Sequence, residues 1–102
     1  MNVIEIIRLR LAYRGDTEKV LALHRNISEQ LPAGTATLYR SARTDTDWAI
    51  WLCVSESEVG PNGSSIGYQL AEHARRQGLV HHDVWREVPP SNQTAGPDPT
   101  DR

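Results

Sequence analysis

Six periodic segments follow one another along this chain in the order strand, helix, strand, strand, helix, strand. No other feature constrains the fold as much, because the order leaves four strands and only two helices to cover them. Right-handed crossovers put both helices on the same face of a sheet. The strands nevertheless carry apolar or aromatic residues on both of their alternating faces, so the uncovered face needs a partner subunit, a ligand, or both.

Residues 3–13 are rich in Ile, Val and Leu, and alternation separates Ile7, Leu9 and Leu11 from Ile4, Ile6, Arg8 and Arg10, which reads as a first strand. Gly15-Asp16 breaks it. Asp16 or Thr17 is placed to cap a helix in which Val20, Leu23 or His24, Ile27 and Leu31 recur at three-to-four spacing, and Pro32-Ala33-Gly34 ends that helix. Thr35 to Arg43 and Trp48 to Ser55 are strand-like runs joined by Thr44-Asp45-Thr46-Asp47, the composition of a tight hairpin. Glu58 to Ser65 is dense in breakers and reads as a loop, after which Ser64 or Ser65 caps a second helix bearing Ile66, Leu70, Ala71 and Ala74 on one side. Gly78 is placed to end that helix in a left-handed conformation. From Leu79 to Val88, Val80, His82, Val84, Arg86 and Val88 alternate with His81, Asp83, Trp85 and Glu87 in a fourth strand, which Pro89-Pro90 stops.

Two strand-helix-strand halves in this order make an α+β, ferredoxin-like βαββαβ sandwich: a four-stranded antiparallel sheet of order 4-1-3-2 with both helices on one face. Residues 1–90 form the one domain that 102 residues allow. Residues 91–102, with Pro97 and Pro99 and no large apolar side chain, are expected to be a disordered tail.

A net charge of -2 and a pI near 6.0 give no global attraction to nucleic acid or to an anionic bilayer, although a local basic patch fits inside a balanced total. Cys53 is the only cysteine, which rules out an internal disulfide and a cysteine-built zinc site and fits a reduced cytoplasmic setting. Charges interrupt the N-terminal apolar run before a signal-peptide core or membrane span could form. The expectation is a soluble cytoplasmic homodimer without nucleic-acid or membrane partners.

In the third strand, Trp48, Ile50, Leu52 and Val54 suit the helix side and send Ala49, Trp51, Cys53 and Ser55 to the open side. Beside Trp51 fall Arg8 and Arg10 of the first strand, His81, Asp83, Trp85 and Glu87 of the fourth, and either Tyr39 with Arg43 or Leu38 with Arg40 of the second, depending on register. Aromatic rings with a few convergent charges suit a pocket for a flat or anionic small organic molecule. The same residues also suit a dimer interface, with Trp51 and Trp85 filling it while Arg8 and Arg10 pair with Asp83 and Glu87. The interface is the commoner fate of such a mixture.

His81 and Asp83 share a strand face and could form a proton-transfer pair, the carboxylate fixing the imidazole tautomer, or simply a satisfied polar contact. His82 points away and no third ligand has a recognisable spacing, so no metal site is expected. His73, with Tyr68 about one turn earlier, could close one end of a pocket if its side of the helix tilts to the sheet edge; a solvated helix residue is the plainer reading. Cys53 has no evident base beside it and reads as a small buried hydrophobe. Gly60-Pro61-Asn62-Gly63 lacks both glycine-rich nucleotide fingerprints, so no cofactor is implied and the segment reads as a flexible connection able to act as a lid.

The strand Val3 to Leu11, the Gly34 to Ser41 segment, the Asp45-Thr46-Asp47-Trp48 hairpin and the Ala71-Glu72-His73 stretch together resemble the dimeric α/β-barrel superfamily, especially its antibiotic-biosynthesis-monooxygenase-like and stress-responsive barrel domains. The resemblance spans most of residues 3–88. It implies two subunits packed sheet against sheet, with each open face, the second helix and its preceding loop lining a cleft, and it includes cofactor-free oxygenases, haem-degrading enzymes and isomerases. By that resemblance Trp51 and Tyr39, with Trp85, would pack a substrate, Arg8 or Arg10 would stabilise negative charge, and His81 or His73, with Asp83, would handle protons. Two departures stand out. Ser55-Glu56-Ser57 occupies the place where the oxygenases commonly carry a Trp, and only Asn2 and His73 roughly answer the haem-degrading set, so haem degradation is not expected. A non-catalytic dimeric ligand-binding or interaction domain is the alternative.

Overall fold

The computed structural model describes residues 2–90; the expected tail at 91–102 lies outside them. Strand β1 (Asn2–Leu11) is followed by helix α1 (Thr17–Glu29), β2 (Ala36–Arg40) and β3 (Asp47–Ser55). A short hairpin of β4 (Val59–Gly60) and β5 (Gly63–Ser64) leads into α2 (Ser65–Ala74), and β6 (Gly78–Arg86) completes the sheet. The main sheet is antiparallel with the order β2-β3-β1-β6, which is the expected 4-1-3-2 order with the small hairpin left uncounted.

Strict alternation builds the core. Val3, Ile7, Leu9 and Leu11 of β1 and Trp48, Ile50, Leu52 and Val54 of β3 are buried on the helix side against Val20 and Ile27 of α1 and Leu70, Ala71 and Ala74 of α2. Each aliphatic side chain withdrawn from water in this way contributes roughly 1.5–3 kcal/mol before the entropy cost of ordering is set against it. Of the two candidate caps of α2, Ser64 is the one used, its Oγ accepting the Gly67 N–H at 3.0 Å. At α1, Asp16 holds the N-cap position without a side-chain cap bond, and a 3₁₀ turn over Arg14–Asp16 feeds the helix instead.

Three local expectations change. The breaker-rich segment 58–65 is not a plain loop, because Gly60 and Gly63 pair across Pro61-Asn62 and Gly63 takes the left-handed backbone (φ +87°). Gly78 does not end α2 in a left-handed conformation; it begins β6, where a Cβ would collide with the carbonyl oxygen of Arg10 on β1. Cys53, expected as a small buried group, is exposed on the open face.

One inward position breaks the apolar pattern. Glu5 lies between Val3 and Ile7 on the covered face and is fully buried. Its Oε1 is 2.7 Å from Nε2 of His82, the residue that β6 turns inward, while its Oε2 has no hydrogen-bond partner among the described residues. The carboxylate rests on the start of α2, where a Cβ on Gly63 or Gly67 would collide with Glu5 Oε1. Two glycines four residues apart thus make room for one buried acid at the positive end of a helix.

Candidate functional site

The strand pairings arrange the open face in rows. Cys53, Ile4 and Trp85 lie abreast on β3, β1 and β6; the next row is Thr37, Trp51, Ile6 and Asp83, and the one after it is Tyr39, Ala49, Arg8 and His81. A last row sets Asp47, Arg10 and Leu79 abreast. This register resolves the choice on β2: Tyr39 stands on the open face, whereas Leu38 and Arg40 oppose Ile50 and Trp48 on the covered one.

The face therefore has two ends. At the first, Ile4, Trp51 and Trp85 are exposed, Trp85 at 61%. At the second, a hollow of about 400 Å³ opens among Arg8, Arg10, Tyr39, Asp47, Ala49, Leu79 and His81. Leu9, Arg40 and Trp48 also border it, although alternation turns their side chains to the covered face. Tyr39 links the two ends by an edge-on contact with Trp51, ring centroids 5.4 Å apart.

Each arginine in the hollow has a different tie. Arg10 and Asp47 form a fork, Nε to Oδ1 at 2.8 Å and Nη2 to Oδ2 at 3.1 Å. The hydrogen bond from Arg10 holds the Asp47 carboxyl below its ordinary range, outweighing the opposing desolvation, and the attraction of the two charges adds to it. The same bond and attraction raise Arg10. Arg8 touches Asp83 through a single 3.3 Å contact, both side chains largely exposed. Of the expected cross-strand pairs, Arg8 with Asp83 forms, but Arg10 turns to β3 for its acid, because β6 places Leu79 opposite it.

Of the sequence-predicted site residues, the hollow gathers Arg8, Arg10, Tyr39 and His81. Asp83 sits one row away and is engaged by Arg8, with no bond to His81 among the described residues. Trp51 and Trp85 lie toward the other end of the face. His73 does not join them: it lines a groove between the helices with Leu23, Asn26, Gln69 and Arg76, on the far side of the sheet. No group of three or more His, Cys, Asp or Glu side chains is placed to hold a metal ion among the described residues, nor is any described helix long and apolar enough to cross a membrane. Sequence reasoning passed over Asp47, read only as a turn residue, and the Glu5–His82 pair. The available signals were an acid at an inward strand position and glycines at 63 and 67.

The sheet order, the placement of both helices on one face and the antiparallel pairing of all four strands define a ferredoxin-like fold. Among solved structures the chain is similar to Rv0793 from Mycobacterium tuberculosis, with a TM-score of 0.65 and 14% identity over 87% of this chain and 97% of that one. It is likewise similar to SnoaB, a cofactor-independent oxygenase from Streptomyces nogalater, with a TM-score of 0.56 and 17% identity over the same shares, 87% and 97%. A mutant of SnoaB matches equally well. No family model and no curated protein matches the chain. At these identities the likeness is one of fold.

Proposed function

We propose that the open face binds a flat aromatic or anionic small molecule and that a second copy of the chain, packed sheet against sheet, closes the cleft. The observation that carries this reading is the hollow itself, where Tyr39, Ala49 and Leu79 supply apolar walls and Arg8 supplies a cation whose one acidic contact is weak and exposed. An anion competing for Arg8 displaces little, since exposed ion pairs contribute under about 1 kcal/mol. Arg10 is already committed to Asp47 and serves as a fixed, charged wall. The exposed Ile4, Trp51 and Trp85 support the dimer: a second sheet about 10 Å away would remove these side chains from water.

The fold shared with SnoaB, itself a cofactor-independent oxygenase, supports oxygenation or isomerisation without a cofactor as the chemistry. Either reaction can begin by removal of a proton from an activated carbon or hydroxyl. His81 would accept that proton, and Arg8, in the same row, would stabilise the anion that remains. Asp83 would act on Arg8 by holding its guanidinium over the hollow. A non-catalytic dimeric binding domain is the second reading, favoured by the position of both exposed tryptophans outside the hollow, where they serve association and not a substrate.

Three measurements separate these readings. Sedimentation at micromolar concentration is expected to report a dimer, and a stable monomer would remove the closed-cleft arrangement. Titration with aromatic carboxylates is expected to change tryptophan fluorescence, with Arg8→Gln weakening binding about tenfold; no response to any such compound would overturn the ligand site. Oxygen uptake or product formation that disappears in His81→Ala would establish catalysis, whereas binding without turnover would support the second reading.

A further inference from the structure

We propose that the β2–β3 connection carries a separate site for a phosphate dianion, free or as a monoester. A hollow of about 520 Å³ there is lined by Arg14, Arg40, Arg43, Ser41, Thr44 and Asp45. Three arginines thus line one hollow with a single acid, an excess of two positive charges in a chain whose overall charge is -2.

What holds each arginine in place does not neutralise the cluster. Arg40 donates from Nε and Nη2 to one backbone oxygen, the Asp45 carbonyl, at 3.2 and 3.0 Å. Its guanidinium carbon lies 4.9 Å from the ring centre of Trp48, which is itself buried in the core with Leu9, Leu11, Val20 and Ala74. Arg40 is therefore a preorganised cation on a rigid aromatic base, and its remaining N–H donors are free of any carboxylate among the described residues. Arg14 reaches Asp45 Oδ1 only at 3.4 Å, through side chains that are both substantially exposed. Arg43 forms no ion pair among the described residues, yet its backbone is fixed: the Ser41 hydroxyl accepts the N–H groups of both Arg43 and Thr44 at 3.1 Å.

The charge excess selects the ligand. A phosphate monoester carries about -1.5 to -2 near pH 7 and offers three strong acceptor oxygens, which match two unneutralised guanidinium forks. A carboxylate leaves one charge uncompensated. Nucleic-acid backbones bring one charge per phosphate and bind through long basic tracks, whereas these arginines are confined to one turn and its neighbour. The site adjoins the open-face hollow, which Arg40 and Ser41 also border, but Arg14, Arg43 and Asp45 line the turn site alone.

The test is calorimetric titration of the full chain with phenyl phosphate, inorganic phosphate and benzoate, in low salt. One equivalent of inorganic phosphate is expected to bind, weakening about tenfold in Arg43→Gln and in Arg40→Gln and falling with added salt, and phenyl phosphate, titrated with the open face saturated by benzoate, is expected to behave likewise. Arg43 lies on the exposed turn, so its variant reports on binding without disturbing the core; Arg8→Gln, on the open face, is expected to leave phosphate binding unchanged. Equal affinity for inorganic phosphate and the ester identifies the free ion, and tighter ester binding identifies the monoester. Benzoate binding that weakens in Arg43→Gln as much as phosphate binding does, indifference of inorganic phosphate binding to Arg43→Gln, equal loss of it in Arg8→Gln, or displacement of phosphate only by polynucleotide would each overturn the proposal. Loss of phosphate binding in Arg43→Gln with aromatic carboxylate binding intact separates this site from the cleft of the open face.

Discussion

Strand β1 carries an acid–base contact on each of its faces, and the two live in different physical worlds. On the open face Arg8 reaches Asp83 in water, through side chains about half exposed. On the covered face Glu5 is 0% exposed and His82 nearly so, at 2.7 Å. Solvent screens the first pair and offers each partner a substitute when the other leaves. The second pair has no such substitute, so removing either member strands a polar group in the interior. One alternating strand thus holds a dispensable contact and an indispensable one only three residues apart.

The sharpest way to break this contrast is His82→Ala. It leaves the buried Glu5 carboxyl without its only hydrogen-bond partner among the described residues, and a loss of about 3–5 kcal/mol in chemical denaturation is expected; a cost below about 1 kcal/mol would show that the interior pair is no different from the surface one. Gly67→Ala comes next. Its methyl group must displace an acid that is pinned by His82 and enclosed on all sides, so a loss of at least about 1–3 kcal/mol is expected by the same measurement. Arg8→Gln on the open face is expected to cost under about 1 kcal/mol of stability while still weakening ligand binding.

The smallest effect concerns pH. Asp47 is held below its ordinary value of 3.8, so its contact with Arg10 contributes stability in full above that value. The contribution is lost as pH falls through the depressed folded-state value, because the unfolded chain then binds the proton first. Unfolding curves collected from pH 6 to pH 2 are expected to lose stability slightly less steeply in Asp47→Asn than in the parent chain; identical slopes would mean that the fork contributes nothing to folding.

How much of this was readable beforehand follows the range of the interactions involved. The order of the four sheet strands and two helices and the apolar inward sets of β1 and β3 are local or period-two signals and are as the residue pattern implied, whereas the cap of α2 was narrowed only to Ser64 or Ser65. Placing Tyr39 beside Arg8 required the hairpin register, which turn composition left open between two choices. Arg10 found Asp47 and not an acid of β6 because a register fixed far away put Leu79 opposite it. Gly78 looked like a helix terminator because a glycine after a helix usually is one; its true constraint is the approach of β1, which no local window contains. Glu5 was passed over for the same reason. A lone acid among apolar residues marks nothing until His82, seventy-seven positions later, and the start of α2 are brought to it.

The space shared by Glu5 and Gly67 also binds the two positions into one choice. Neither can change freely while the other stays, so an alanine at 67 that is harmful in the parent chain should become harmless once Glu5 is shortened. Shortening Glu5 alone would leave a small chamber with an imidazole on one wall and a helix start on another. Such a chamber has the size and polarity of formate or acetate, and restoring stability to Glu5→Ala with either salt would turn a structural side chain into an exchangeable one.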